Sequence, residues 1–165
     1  MNQGVGNVGV FLKCFKQRLI DSCWQDWNDH INRSDRFDVY CQHKTSHYIE
    51  PYLLINMNRY VMNALVRFRL GISNLLVHKN RYKAIENENT NVCRLCFDHV
   101  ENELHIVLCC QELNEIREDL LPRKYYIQPC MFKLILLMSS KNETVIHNLA
   151  IFLYKSFQLL DHAGS

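Results

Sequence analysis

Four residues near the middle of the chain have the types and spacing of a metal site. Cys93-Arg94-Leu95-Cys96 is followed by His105 after eight intervening residues, and by Cys110 after four more. Zinc takes four soft or borderline donors in a tetrahedron, and three thiolates with one imidazole are a standard structural set. The two-residue gap in the first pair lets a tight turn aim both sulfurs at one ion. The second pair falls on or just before a helix, so the ion would clip a loop to that helix. Four protein ligands leave no open coordination position, which implies one structural Zn²⁺ rather than a catalytic one. The plainer alternative is a set of buried thiols beside a core histidine.

The metal reading gains from the wider cysteine pattern. Met1 to Leu12 has no Lys or Arg ahead of its short apolar run, unlike a secretory leader. Eight cysteines without such a leader read as thiols and metal ligands rather than disulfides, in a chain expected in the cytoplasm or nucleus and not secreted. Cys109 beside Cys110 leaves the fourth ligand open, because on a continuous helix Cys109 lies four residues beyond His105, on its face. His99 reads as a loop residue. Cys41, His43 and His47 lack a fourth partner at a sensible spacing, and Cys14, Cys23 and Cys130 read as small hydrophobes.

The elements that must position these ligands are helical. The chain has 165 residues, 48% hydrophobic and 22% charged, with Gly 5 and Pro 3, which suits one domain or a domain with a small satellite. Leu12, Phe15, Leu19, Cys23, Trp27 and Ile31 recur at steps of three and four and predict a helix ending near 32–34 after a frayed start over residues 1–10. Pro51 is placed to open a second helix carrying Leu53, Leu54, Met57, Val61, Leu65 and Phe68, with Gly71 as its C-terminal cap. A short helix is expected within 74–83, a polar loop over 86–92, and a helix from about Glu101 to Leu121, stopped by Pro122. Another should run from Pro129 to about Met138, and a last one, capped from the 139–142 turn, carries Leu149, Phe152, Leu153, Phe157 and Leu160. Only Tyr125–Ile127 hints at a strand. The expected fold is therefore all-α with a small Cys-Cys-His-Cys module: a helical region 1–85, the metal module and its helix 86–121, and a C-terminal helical region 122–165, together one compact unit. No run approaches 18 apolar residues, so no membrane span is expected.

Charge is divided unevenly. Residues 51–85 hold no Asp or Glu but six cations: Arg59, Arg67, Arg69, Lys79, Arg81 and Lys83. Residues 86–119 hold nine acids against Arg94 and Arg117, so 2 − 9 = −7. An acidic module is a poor phosphate ligand. The acid-free block is the better candidate for RNA or DNA, with Arg67, Arg69, Lys79, Arg81 and Lys83 as contacts and Tyr82 available for stacking. On a helix Arg67 and Arg69 do not share a face. A solvated basic face with no partner is the alternative. No carboxylate cluster of the polymerase kind, no Gly-rich phosphate loop and no nucleophile motif is present, so the chain reads as non-catalytic and without a small-molecule substrate.

The order Arg67-Phe-Arg69-Leu-Gly71, Leu75-Leu76, Arg81-Tyr82, Cys93-x2-Cys96, Glu101-x-Glu103-x-His105-x4-Cys110 resembles the C-terminal zinc-binding region of reverse transcriptases from animal non-LTR retrotransposons. The likeness extends through Leu121–Ile127 and Met138–Asn142 to the last helix, and upstream to Gln17-Arg18-Leu19 with Trp24 and Trp27. Residues 67–110 are its specific part. The resemblance puts the last ligand five places after the histidine, at Cys110, although Gln111 stands where the family usually has proline. It implies that Met1 is an internal methionine, that the chain is the tail or relic of a longer polyprotein, and that polymerase and any endonuclease lie upstream. It further implies a role in holding template RNA or target DNA beside those upstream reverse transcriptase regions. A helical protein–protein interaction domain shaped by zinc is the competing expectation.

Overall fold

The computed structural model describes residues 5–34, 37–44, 48–81, 83 and 91–164. Its contacts divide the chain into two units, Met1–Asp35 and Arg36–Ser165. The boundaries expected at 85/86 and 121/122 thus fall inside the second unit, where the basic block, the metal module and the C-terminal helices share one core.

The first unit is a single helix, α1 (Val5–Asn32). It starts earlier than the glycine-rich sequence suggested, running through Gly6 and Gly9. At ~1.5 Å per residue it is about 42 Å long. Val8, Phe11, Leu12, Phe15 and Leu19 are exposed along it. Phe11 stacks on Phe15, and Trp24 on Trp27 at 4.6 Å between ring centroids.

The second unit is built on its last helix. After α2 (Asp38–His43) come α3 (Arg59–Arg69), α4 (Leu76–Lys79), α5 (Asn114–Leu120), α6 (Arg123–Tyr126), α7 (Met131–Met138) and α8 (Glu143–Ala163). Asn142 caps α8, its side chain accepting from the Val145 amide at 3.1 Å. Leu149, Phe152, Leu153 and Leu160 then line one face of α8, each at most 2% exposed. Ala64, Leu65 and Phe68 of α3 pack there, with Phe68 and Phe157 ring centroids 6.4 Å apart. Leu134, Leu137 and Met138 of α7 close the same cluster. Among the described residues there is no strand, only an isolated antiparallel bridge between Val92 and Val100. The mainly α expectation is met.

Three local expectations are corrected. Pro51 opens only a 3-10 turn, Pro51–Leu54, which seats Tyr52 in the core. The helix proper starts after Asn58, whose side chain accepts from the Tyr60 amide at 2.8 Å; a good cap sets the start more strongly than the continuing apolar period does. Tyr125–Ile127, read as a possible strand, instead ends α6: Tyr125 and Tyr126 lie in the helix and Ile127 caps it, because Pro122 precedes the turn and its carbonyl takes the Tyr125 amide. The single helix expected over 101–121 is broken at Cys110, with consequences described below.

Gly71 ends α3 as expected. Its φ of 63° is left-handed. Its amide bonds to the Phe68 carbonyl and the Ile72 amide to that of Arg67, the paired bonds that finish a helix around a glycine. Gly71→Ala should cost about 1–2 kcal/mol in urea unfolding of the metal-loaded protein, because a side chain at that φ is strained.

Candidate metal centre

Cys93, Cys96, His105 and Cys110 come together, with all four donor atoms within 4.8 Å of one another. Two sulfurs at ~2.3 Å from one tetrahedral ion stand about 3.8 Å apart. The Cys93 and Cys110 sulfurs are 4.0 Å apart, and the Cys96 sulfur is 3.3 Å from His105 Nε2. The residues therefore fit one metal ion. Soft sulfur donors with one imidazole suit zinc and disfavour magnesium or calcium, which require oxygen.

The first pair sits on a knuckle closed at its base. The Cys93 amide donates to the His99 carbonyl and the Glu101 amide to that of Asn91, both at 2.7 Å, beside the Val92–Val100 bridge. Within the loop the Phe97 amide bonds to the Cys93 carbonyl, and Phe97 takes a left-handed φ of 56°. The chain then turns so that the Asp98 and His99 amides donate to the Cys96 sulfur, as Leu95 and Cys96 do to that of Cys93.

The second pair lies on a π turn. His105–Cys109 is wound more widely than an α-helix, and the Cys110 amide bonds at 2.7 Å to the carbonyl of His105, five residues back. On an ideal α-helix five residues place two side chains about 140° apart. The wider turn narrows that offset and brings Cys110 towards His105. Cys109, on the helical face in a regular reading, is left out of the group and packs half-buried against the core. At Cys110 the backbone turns to φ −57°, ψ 122°, which ends the helix before α5 begins.

Arg117 holds this turn. It is 1% exposed and donates from Nε to the Val107 carbonyl at 2.8 Å and from Nη2 to those of Cys110, at 2.8 Å, and Ile106, at 3.3 Å. The break leaves the Ile106 and Val107 carbonyls without helical amides, and that of Cys110 has only the Leu113 amide at 3.3 Å. On the other side Glu101, 0% exposed, takes Arg94 Nη2 at 2.7 Å and the Leu76 and Arg94 amides. Arg94 also reaches the Leu160 carbonyl near the end of α8. Glu103 accepts from His78 Nε2 at 2.8 Å, and His78 Nδ1 faces the buried Ser73 hydroxyl at 2.8 Å and its amide at 3.2 Å. Glu101 and Glu103 are thus anchors and not the two-sided surface pair a helix would make of them. None of these partners was legible beforehand; the sign available was an acid and an arginine close to apolar residues and ligands.

Burial pushes the Cys93 thiol up, and pushes that of Cys110 up to about 12 with Cys93 beside it. Burial would raise Cys96 too, but the Asp98 and His99 amides together with hydrogen bonds from the Cys93 and Cys110 thiols outweigh it and leave that thiol below its ordinary value. Burial, with His99 and Arg117 nearby, holds the His105 imidazole neutral and its lone pair free for a metal. A divalent ion reverses the burial penalty on thiolates, so loading must expel protons. Metal affinity should rise with pH through the neutral range, and the heat of binding should vary with the buffer that takes up those protons.

The basic residues separate. Arg67, Lys79 and Lys83 are exposed. Arg69 is 5% exposed, lies 4.6 Å over the Tyr52 ring and donates to Glu50 and the Met138 carbonyl. Arg81 is half-buried and donates to the Gly71 carbonyl at 3.0 Å. Arg69 is thus an internal strut rather than a surface contact, because α3 turns that face towards α7. Tyr82 and His47 lie outside the described residues. His43 donates from Nδ1 to the Val39 carbonyl, and the Cys41–His43 pair belongs to no metal group among the described residues. Comparison with protein-family models, curated proteins and solved structures finds no match. Among the described residues no helix is long and apolar enough to cross a membrane.

Cys110→Ser should lose the metal, while Cys109→Ser should keep it at one ion per chain by elemental analysis. Arg117→Met should weaken metal binding by about 10–100-fold, as loss of an outer partner does. The cobalt-substituted absorption spectrum should change with it, since the relaxed turn returns Cys109 towards His105.

Proposed function

We propose that this chain is a non-catalytic, zinc-stabilised accessory domain from the C-terminal part of a retroelement reverse transcriptase, and that it binds RNA or DNA. The observation that carries this reading is the meeting of Cys93, Cys96, His105 and Cys110 at one point. The spacing that resembles the retroelement region is the spacing the π turn accommodates. Zinc is the metal the donor set favours, and with four protein ligands it serves structure. The ligands Cys93 and Cys110 are part of the core itself, so the ion ties the module to α8.

Nucleic acid is the partner in this reading, held through Arg67, Lys79 and Lys83, the exposed ones among the five candidate contacts. The upstream reverse transcriptase regions are the second partner. The protein–protein alternative is favoured by one feature, the exposed apolar row Val8, Phe11, Leu12, Phe15 and Leu19 on α1.

Purified protein should carry one zinc, and a strong chelator should lower its melting temperature. Binding to a single-stranded oligonucleotide should weaken with salt at a log–log slope of roughly −2 if about three phosphates are contacted. Changing Arg67, Lys79 and Lys83 together to Ala should flatten that slope. No binding at low salt would leave the interaction-domain reading in its place.

A further inference from the structure

Phe97, directly after the ligand Cys96, takes a left-handed φ of 56° and is 76% exposed. The turn requires that backbone, because it aims the Asp98 and His99 amides at the Cys96 sulfur. Glycine fits such a φ without strain, whereas a bulky side chain there is rare and strained. Burial does not offset the strain, since the ring lies outside the core cluster. A strained position held by a large exposed ring, where a smaller residue would serve the turn, implies a use for the ring.

The surroundings restrict what that use is. Asp98 and His99 follow, their side chains 75% and 67% exposed and paired at 3.1 Å. Val100, half-exposed, is the apolar residue beyond them. Protein interfaces bury about 800 Å² a side around a centre poor in charge, and a lone ring beside charged side chains does not supply that. One flat apolar partner suits it better. A nucleobase has such a face, and bases stack on aromatic rings whatever the sequence. Asp98 would repel a phosphate but can accept from the amino group of a stacked base. The tip therefore suits a base, and the strand's backbone must be held elsewhere.

Cations for that backbone stand beside the knuckle. Both of its arms are tied to α4 and the turn after it: Asn80 Nδ2 donates to Asn91 Oδ1 at 2.9 Å, the Leu76 amide to Glu101 at 2.9 Å, and His78 Nε2 to Glu103 at 2.8 Å. Lys79 precedes Asn80 and is exposed, as is Lys83, whose amide bonds to the Asn80 carbonyl at 3.0 Å. Phe97 comes six positions after Asn91. Six residues reach at most about 20 Å. A strand rising at least ~3.4 Å per nucleotide crosses that in about six nucleotides or fewer.

We propose that Phe97 is a stacking platform for one unpaired base of a single strand whose phosphates lie along Lys79 and Lys83. This rests on the nucleic-acid reading above, and adds to it a base contact made by the metal knuckle itself.

The test uses the metal-loaded full chain, a single-stranded DNA oligonucleotide and an abasic strand of the same length. Phe97→Leu keeps apolar bulk and the strained φ but removes the ring, while Phe97→Gly also relieves the φ. Both should keep one metal per chain, and Phe97→Gly should melt no lower than Phe97→Leu. Both should bind the oligonucleotide at least about fivefold more weakly, with an unchanged salt slope because no charge is altered. Phe97→Trp should bind as tightly as the parent, and the added indole emission should be quenched on binding. On the abasic strand the parent and Phe97→Leu should bind alike. Phe97→Leu binding the oligonucleotide like the parent would overturn the platform and spare the nucleic-acid reading. So would an equal loss on the abasic strand, or metal loss in Phe97→Gly. Oligonucleotide binding absent from the parent at low salt would overturn the nucleic-acid reading, and the platform with it.

Discussion

The five-residue step from His105 to Cys110 is the constraint on which the metal module depends. A regular helix cannot put both side chains on one side. The chain meets the requirement by winding one π turn and then stopping, and the stop exposes carbonyls that need donors. Arg117 supplies them from one turn into α5. The geometry of the ligand set, the break at Cys110 and the burial of a guanidinium are therefore one arrangement with a common cause.

Buried charge is used in the same manner elsewhere in the unit. Glu101 with Arg94 closes the knuckle and takes the Leu76 amide as well, and Glu50 joins Lys44 to Arg69 of α3. Such pairs add little net stability, since desolvation offsets their attraction. Their value here is geometric. Each guanidinium also binds a main-chain carbonyl at a helix end, Met138 for Arg69 and Leu160 for Arg94, so a wrong docking of α7 or α8 would leave a charge without partners.

Much of this was legible in the sequence, for identifiable reasons. The helices α3 and α8 announce themselves by apolar periodicity with Asn or Gly at their ends, and the ligands by residue type and spacing. What escaped was set by tertiary contact. The π turn leaves no periodic trace, since its residues, from His105 to Cys109, are apolar nearly all round. Arg69 and Arg81 look like their neighbours Arg67 and Lys79 in a list of cations; only the packing of α3 decides which are struts. Counting residues 86–119 as −7 treated Arg94 and Arg117 as surface charge, whereas both are spent inside the fold.

The dependence on α8 has a consequence for the order in which this chain can become structured. The cysteine knuckle is made well before the residues that brace it, because Arg94 anchors on Leu160 and Asn74 on Asp161. A growing chain emerging from the ribosome presents Cys93 and Cys96 some fifty residues ahead of α8. Until the last helix arrives, those thiols have no wall against which to exclude water, and the loop carrying them has no fixed end. The unit closes at its C-terminus, so a polypeptide cut short by two turns of α8 would lose its metal loop as well as its tail.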